Sequence, residues 1–190
     1  MQEITIRAAA VDDAAALAAI YAPYVETTAI TFEYTAPDAA EFRRRIAATL
    51  TRYPYLVAEQ DGDILGYAYL GAFGERAAYS WSAETSIYLR QNARGAGLGK
   101  RLYTALEQAA AAQHIRNLYA VVAYPDTDDA HLTGNSVAFH THMGYETVGQ
   151  LHHSGYKFDT WYNVSYMEKR LNDSPAPPEP FLPFPALGNI

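Results

Sequence analysis

The amino-acid sequence predicts an α/β fold: a single domain with a mixed central β-sheet flanked by helices, followed by a proline-rich tail. Three observations carry this expectation. With 190 residues, 49% of them hydrophobic and 18% charged, the chain can bury one full core. Its periodic segments run strand, helix, helix, three strands, helix, strand, helix, strands. The run Leu118 to Ala123 is almost continuously apolar, as in a central strand covered on both faces.

Ile4 to Arg7 reads as a short strand. Asp12 and Asp13 open a helix with Leu17, Ile20, Tyr21 and Tyr24 on one face. A second helix starts near Pro37-Asp38 and buries Phe42, Ile46 and Leu50; Arg43, Arg44 and Arg45 form its solvated face. Two strands, Tyr55–Glu59 and Ile64–Tyr69, flank the tight-turn pair Asp61-Gly62. Gly71 to Ala78 is a loop, and Trp81 to Leu89 a further strand. Trp81, Ala83, Ile87 and Leu89 lie on one face of it, with Ser82, Glu84, Ser86 and Tyr88 on the other. Arg94 to Gly99 leads into a helix carrying Leu98, Leu102, Leu106 and Ala109. Ser136 to Met143 reads as a short helix capped by Asn135, and Glu146–His153 and Trp161–Glu168 are the last strands. The domain is taken as residues 1–171. In 172–190, six prolines interrupt any regular element, while Phe181, Leu182, Phe184 and Leu187 suit a strap lying on the domain or on a partner.

The segment Arg94-Gly95-Ala96-Gly97-Leu98-Gly99-Lys100 sits between a strand and a helix. Such a loop presents backbone N–H groups at the positive end of the helix and suits a phosphate or pyrophosphate. A P-loop is excluded because Arg94 stands five places before Gly99 and Arg101 follows Lys100. A dinucleotide fingerprint fails too, since its last glycine falls on Lys100 or Leu102. What remains, Arg-x-x-Gly-x-Gly, resembles the coenzyme A loop of the GNAT acetyltransferases. The stretches Tyr53–Glu59, Ala78–Glu84, Leu102-Tyr103-Thr104 and Gly155-Tyr156-Lys157 with Trp161 are similar to the phosphinothricin acetyltransferase branch of that family. The resemblance runs from about Ile6 to the C-terminus. It implies acetyl-CoA as donor, the α-amino group of a small amino acid as acceptor, and a homodimer. It also implies coenzyme contacts from Tyr88, Leu89 and Arg90, from Arg94 through Lys100, and from Ser136. Two departures stand out: Gly74 replaces an expected lysine in the substrate loop, and Thr133 replaces an asparagine three residues before Ser136.

Amide formation needs a neutral amine, and an amino acid's α-amine is mostly protonated at neutral pH, so a base is required. Glu84, in mid-strand among small polar residues, is the first candidate; a carboxylate there asks for a reason. The resemblance offers His140 as the second catalytic residue, with an imidazole that titrates in the useful range. Phe32, Arg76, Tyr79 and Tyr88 are candidates for the acceptor pocket, Arg76 meeting an anionic group. His140, His142, His152 and His153 lack metal-ligand spacing with an acid partner, so no metal is expected.

The absence of cysteine rules out an acyl-cysteine intermediate. A net charge of −7 without a basic block argues against nucleic-acid binding. No signal-peptide layout or membrane-length apolar run is present, and a cytoplasmic protein is expected. Two alternatives stay open: acetylation of a protein N-terminus or lysine, and a non-catalytic acyl-CoA-binding module.

Overall fold

A computed structural model of the chain describes residues 4–93 and 97–188. The elements are β1 (Thr5–Ala8), α1 (Ala14–Thr27), α2 (Ala39–Leu50), β2 (Tyr55–Gln60), β3 (Asp63–Ala72), β4 (Ser82–Leu89), α3 (Leu98–Ala112), β5 (Asn117–Tyr124), α4 (Asn135–His142), β6 (Glu146–Lys157) and β7 (Thr160–Arg170). The strands form one mixed sheet in the order β1-β2-β3-β4-β5-β7-β6, and among these neighbours only β4 and β5 run parallel. The α/β expectation therefore holds.

Local chemistry explains the element boundaries. Asp38 caps α2 by accepting from the Glu41 N–H at 2.8 Å. Asp61 and Gly62, with φ of 56° and 85°, turn β2 into β3 as the sequence predicts. The β6–β7 hairpin is longer than expected. Its turn residues Phe158 and Asp159 adopt φ of 51° and 55° without a glycine to advertise them, and two register shifts break the strand's alternation.

Each sheet face carries its own core. On one, Leu98, Leu102, Tyr103 and Leu106 of α3 pack on Ala68, Leu70, Ala83 and Leu118. On the other, Leu17, Ile20 and Tyr24 of α1 and Phe42 and Ile46 of α2 cover Tyr55, Val57 and Tyr67. Alternation along β4 sends Ala83, Ile87 and Leu89 to the first face and Tyr88 to the second.

The tail lies on the α3 face. Phe181 and Phe184 pack against that core, Phe181 edge-on to Tyr53 at 5.8 Å. The Trp81 indole donates to the Glu179 carbonyl at 2.7 Å, and the buried Gln113 amide donates to Arg52 and Leu182 carbonyls. Truncation after Asp173 would expose Tyr53 and take from the Gln113 amide one of its two acceptors, the Leu182 carbonyl. Calorimetry should show Tm lower by about 5–10 °C; an unchanged Tm would mean that these contacts contribute nothing in solution.

Candidate active site

Parallel pairing between β4 and β5 covers only Ser82–Glu84 against Asn117–Tyr119. Past the Glu84–Tyr119 pair both strands continue, but β4 follows β3 and β5 follows β7. The sheet thus opens into a cleft of about 570 Å³. Thr85 to Leu89 and Ala120 to Ala123 form its walls, and the first turns of α3 and α4 border it. This corrects the expectation that Leu118 to Ala123 is covered on both faces: Val121 is 40% exposed and lines the cleft.

The Leu89 N–H donates to the Tyr24 hydroxyl at 3.1 Å, and that hydroxyl donates to the Leu89 carbonyl at 2.6 Å. Because strand polar groups alternate in direction, the Thr85 carbonyl and both polar groups of Ile87 face this same open edge, while the Thr85 N–H closes the ladder to Tyr119. The Tyr88 amide is turned toward β3, so Tyr88 brings its side chain to the cleft. Arg90 donates its N–H to the Leu65 carbonyl at 2.8 Å.

Gly97 opens α3 in the left-handed region, φ 72°, with no side-chain cap. The first main-chain bond of the helix runs from Arg101 N–H to Gly97 carbonyl at 3.1 Å. The N–H groups of Leu98, Gly99 and Lys100 are left as the unpaired donors of a 15-residue helix, at the cleft. A Cβ at Gly97 would meet nothing within 4 Å, so the space beside it is open. Gly99 serves a different end, since a Cβ there would stand 3.0 Å from the Phe139 ring. Its missing side chain lets α3 and α4 approach. Arg94, Gly95 and Ala96 lie outside the described residues.

Asn135 is not the cap of α4. The helix begins at Asn135 with Gly134 in the cap position, and Thr133, Asn135 and Ser136 all line the cleft. One turn on, His140 is 6% exposed. Its Nδ1 lies 2.7 Å from the Ser136 carbonyl, which can only accept, so Nδ1 carries a hydrogen. Nε2 lies 2.8 Å from the Tyr103 hydroxyl, which is 3.2 Å from Thr85 Oγ1, itself donating to the Tyr119 carbonyl at 3.1 Å. A neutral ring accepts from Tyr103; a charged ring would donate to it and reverse the hydroxyl, so either state is fully bonded. Burial pushes the His140 pKa below the usual histidine value, only partly offset by the Ser136 carbonyl, and so favours the neutral ring.

Glu84 stands at the last paired register before the strands part, on the sheet face opposite Thr85. It is half-buried, and desolvation raises its pKa above the usual carboxylate value. Cross-strand neighbours share a face, so Tyr119 stands beside it. The Phe73 ring stacks on Tyr119 at 4.1 Å, and Tyr79 packs edge-on to Phe73. That contact anchors the Gly71–Ala78 loop next to Glu84, with Arg76 exposed at its rim. A Cβ at Gly74 would come 2.7 Å from the Tyr79 ring, so Tyr79 fills the room a side chain at 74 would need.

The family description "Acetyltransferase (GNAT) domain" matches residues 6–165. The chain belongs to the GNAT acetyltransferase family. It is 33% identical to the phosphinothricin N-acetyltransferase of Streptomyces viridochromogenes, over 95% of this chain and 94% of that one. It is also 33% identical to the L-methionine sulfoximine/L-methionine sulfone acetyltransferase of Pseudomonas aeruginosa, over 92% and 98% respectively. Among solved structures, the GNAT superfamily phosphinothricin acetyltransferase of Sinorhizobium meliloti in complex with AcCoA superimposes with a TM-score of 0.84 at 33% identity, covering 97% of this chain and 98% of that one.

Seen as a GNAT domain, the chain holds residues at its cleft that sequence reasoning passed over. Tyr24 reads as a core position because its ring is buried, yet its hydroxyl replaces a strand neighbour for Leu89. Thr85 interrupts an apolar row and Tyr103 sits on the apolar stripe of α3, which were the available signals. Arg45 departs from the solvated face assigned to it. It pairs with Glu33 and Glu41 and borders a cavity of about 340 Å³ lined by Tyr21, Tyr55, Tyr67, Tyr69 and Tyr88. Tyr88 is common to this cavity and the cleft. Phe32 packs against Gly155 of β6 and borders neither. No cluster of three or more histidine, aspartate or glutamate side chains suited to a metal occurs among the described residues.

Proposed function

We propose that this GNAT domain transfers the acetyl group of acetyl-CoA to the α-amino group of a small amino-acid-like acceptor such as phosphinothricin, methionine sulfoximine or methionine sulfone. One observation carries the reading: the sheet opens at the Glu84–Tyr119 pair, with Glu84 on one face and the Thr85–Tyr103–His140 chain on the other. The N–H groups of Leu98, Gly99 and Lys100 suit the coenzyme's pyrophosphate, the open edge from the Thr85 carbonyl to Ile87 suits its pantetheine arm, and Ser136 borders the same channel. Acetyl-CoA supplies an activated thioester carbonyl. The chain has no cysteine to carry the acetyl group, so the amine attacks directly within a ternary complex.

Glu84 draws the proton from the attacking amine, and its raised pKa brings it closer to the working range of a general base. The Ile87 N–H on the open edge of β4 suits the developing oxyanion. As the C–N bond forms the thioester C–S bond breaks, and coenzyme A leaves as its thiolate while the amine proton rests on Glu84. His140 and Tyr103 face the coenzyme side and hold its wall in a fully bonded state. The acceptor enters from the Glu84 face, where Tyr88, Tyr79 and Arg76 belong to the pocket, and Phe32, packed on Gly155, supports it from behind. We extend the reading, on the family resemblance, to a homodimer of the cytoplasm with a catalytic domain of residues 1–171. No helix among the described residues is long and apolar enough to cross a membrane.

A thiol-release assay over phosphinothricin, methionine sulfoximine, methionine sulfone, ordinary amino acids and N-terminal peptides tests the proposal. Turnover of peptides alone would overturn it. Arg76→Ala should raise KM for acceptors with a distal anionic or polar group about 10-fold, with the Kd of acetyl-CoA unchanged. Equal effects on both would remove Arg76 from the pocket.

A further inference from the structure

Among the described lysines, arginines, aspartates and glutamates, Lys157 at the end of β6 is the one that is fully buried, 3% exposed. The carboxylate that acts on it, Glu33, is spent on the Arg45 guanidinium and the Tyr21 hydroxyl. Lys157 Nζ instead donates to two main-chain carbonyls, Thr28 and Thr31, at 2.9 Å each. Both belong to the segment that leaves α1. Other contacts fasten the same segment to the β6–β7 hairpin. The Tyr34 hydroxyl donates to the Tyr156 carbonyl, and the Phe32 ring fills the space a Cβ at Gly155 would take.

A buried ammonium is costly unless its hydrogens are used, and burial lowers the Lys157 pKa accordingly. Even the neutral amine keeps two hydrogens for its two carbonyls. An apolar side chain of the same length would fill the volume but leave both carbonyls without their donor. Lysine here ties chain to chain.

The tied segment reaches both cavities. Ile30 lines the cleft, and Thr31 Oγ1 and Glu33 hold the Tyr21 hydroxyl, at 2.7 and 3.1 Å, in the wall of the tyrosine cavity. Among the described residues, both Lys157 hydrogen bonds go to this segment and neither goes to α3 or α4, which frame the coenzyme side. We propose that Lys157 is a positioning residue for the acceptor: it clamps residues 28–34 against the hairpin and so sets acceptor affinity while leaving coenzyme affinity alone. This rests on the acceptor reading given above.

The test compares Lys157→Met and the milder Tyr34→Phe, in the full chain, by amide hydrogen exchange, acceptor kinetics and acetyl-CoA titration. Exchange should accelerate across 28–34 in both. Acceptor KM should rise about 10-fold in Lys157→Met and less in Tyr34→Phe, with kcat within about 3-fold and the acetyl-CoA Kd within about 2-fold. Should Lys157→Met not fold, Tyr34→Phe, altered at an exposed side chain, carries the same signature. Unaltered exchange at 28–34 overturns the clamp. Accelerated exchange with unaltered acceptor KM reduces Lys157 to a structural residue and overturns the proposal. A parent protein that acetylates no amino acid at all refutes the acceptor reading itself, and the exchange arm still reports on the clamp separately.

Discussion

Glu84→Gln should lower kcat about 100-fold or more at neutral pH, with acetyl-CoA affinity nearly unchanged. Glutamine keeps the size and hydrogen-bonding reach of the side chain at the point where β4 and β5 part, but it cannot take a proton. Two pH signatures accompany the loss. In the parent, kcat should fall as pH drops through the raised pKa of Glu84, because a protonated carboxyl is no base. In the variant, the deficit should shrink as pH rises and the amine loses its proton unaided. Stability should move the other way. Desolvation raises the folded-state pKa of Glu84, so folding favours the protonated form; this contribution is gained as pH falls through that pKa and lost above it. Glu84→Gln should therefore melt at a higher temperature than the parent at pH 7, with the gap closing as the solution is acidified. His140→Asn is the comparison. A larger, similarly pH-dependent loss there would move the base to His140; near-parental kcat in Glu84→Gln across the range would leave Glu84 structural.

Gly97→Val should weaken acetyl-CoA binding about 100-fold or more by calorimetric titration, since three helix N–H groups and the open space beside them form the proposed pyrophosphate seat. The structure adds a second consequence. At φ 72° a β-branched side chain is strained, so this variant should also lose about 1–2 kcal/mol of stability. Gly97→Asn separates the two effects, because asparagine tolerates the left-handed region yet still places atoms in the open space. It should keep Tm close to that of the parent and still bind acetyl-CoA more weakly. Parental affinity in folded Gly97→Asn would remove the pyrophosphate from this site.

Much of the architecture is local and therefore legible in the chain. Asp61-Gly62 turns a hairpin because both residues tolerate positive φ, and Asp38 starts α2 because its carboxylate meets an orphan N–H. Alternation on β4 sorts Glu84, Ser86 and Tyr88 from Ala83, Ile87 and Leu89, and the two cores divide Ala83, Ile87 and Leu89 from Tyr88 in the same way. Where geometry depends on partners distant in sequence, the chain alone misled. The apolar run in β5 looks like a strand covered on both sides, but the same hydrophobic residues serve equally to wall a cleft, and only the divergence from β4 after Tyr119 decides between these. Asn135 has a cap's chemistry, while the fold spends Gly134 on that position. The β6–β7 turn at Phe158-Asp159 gives no local signal, because tertiary packing holds both residues at positive φ without a glycine. The hydroxyl chain from His140 through Tyr103 to Thr85 joins three elements, and the buried Lys157 meets carbonyls more than a hundred residues away. Periodicity and turn chemistry act over a few residues, so they determine the elements of this protein; which polar atoms meet across those elements is decided only once the whole sheet has closed around its two cores.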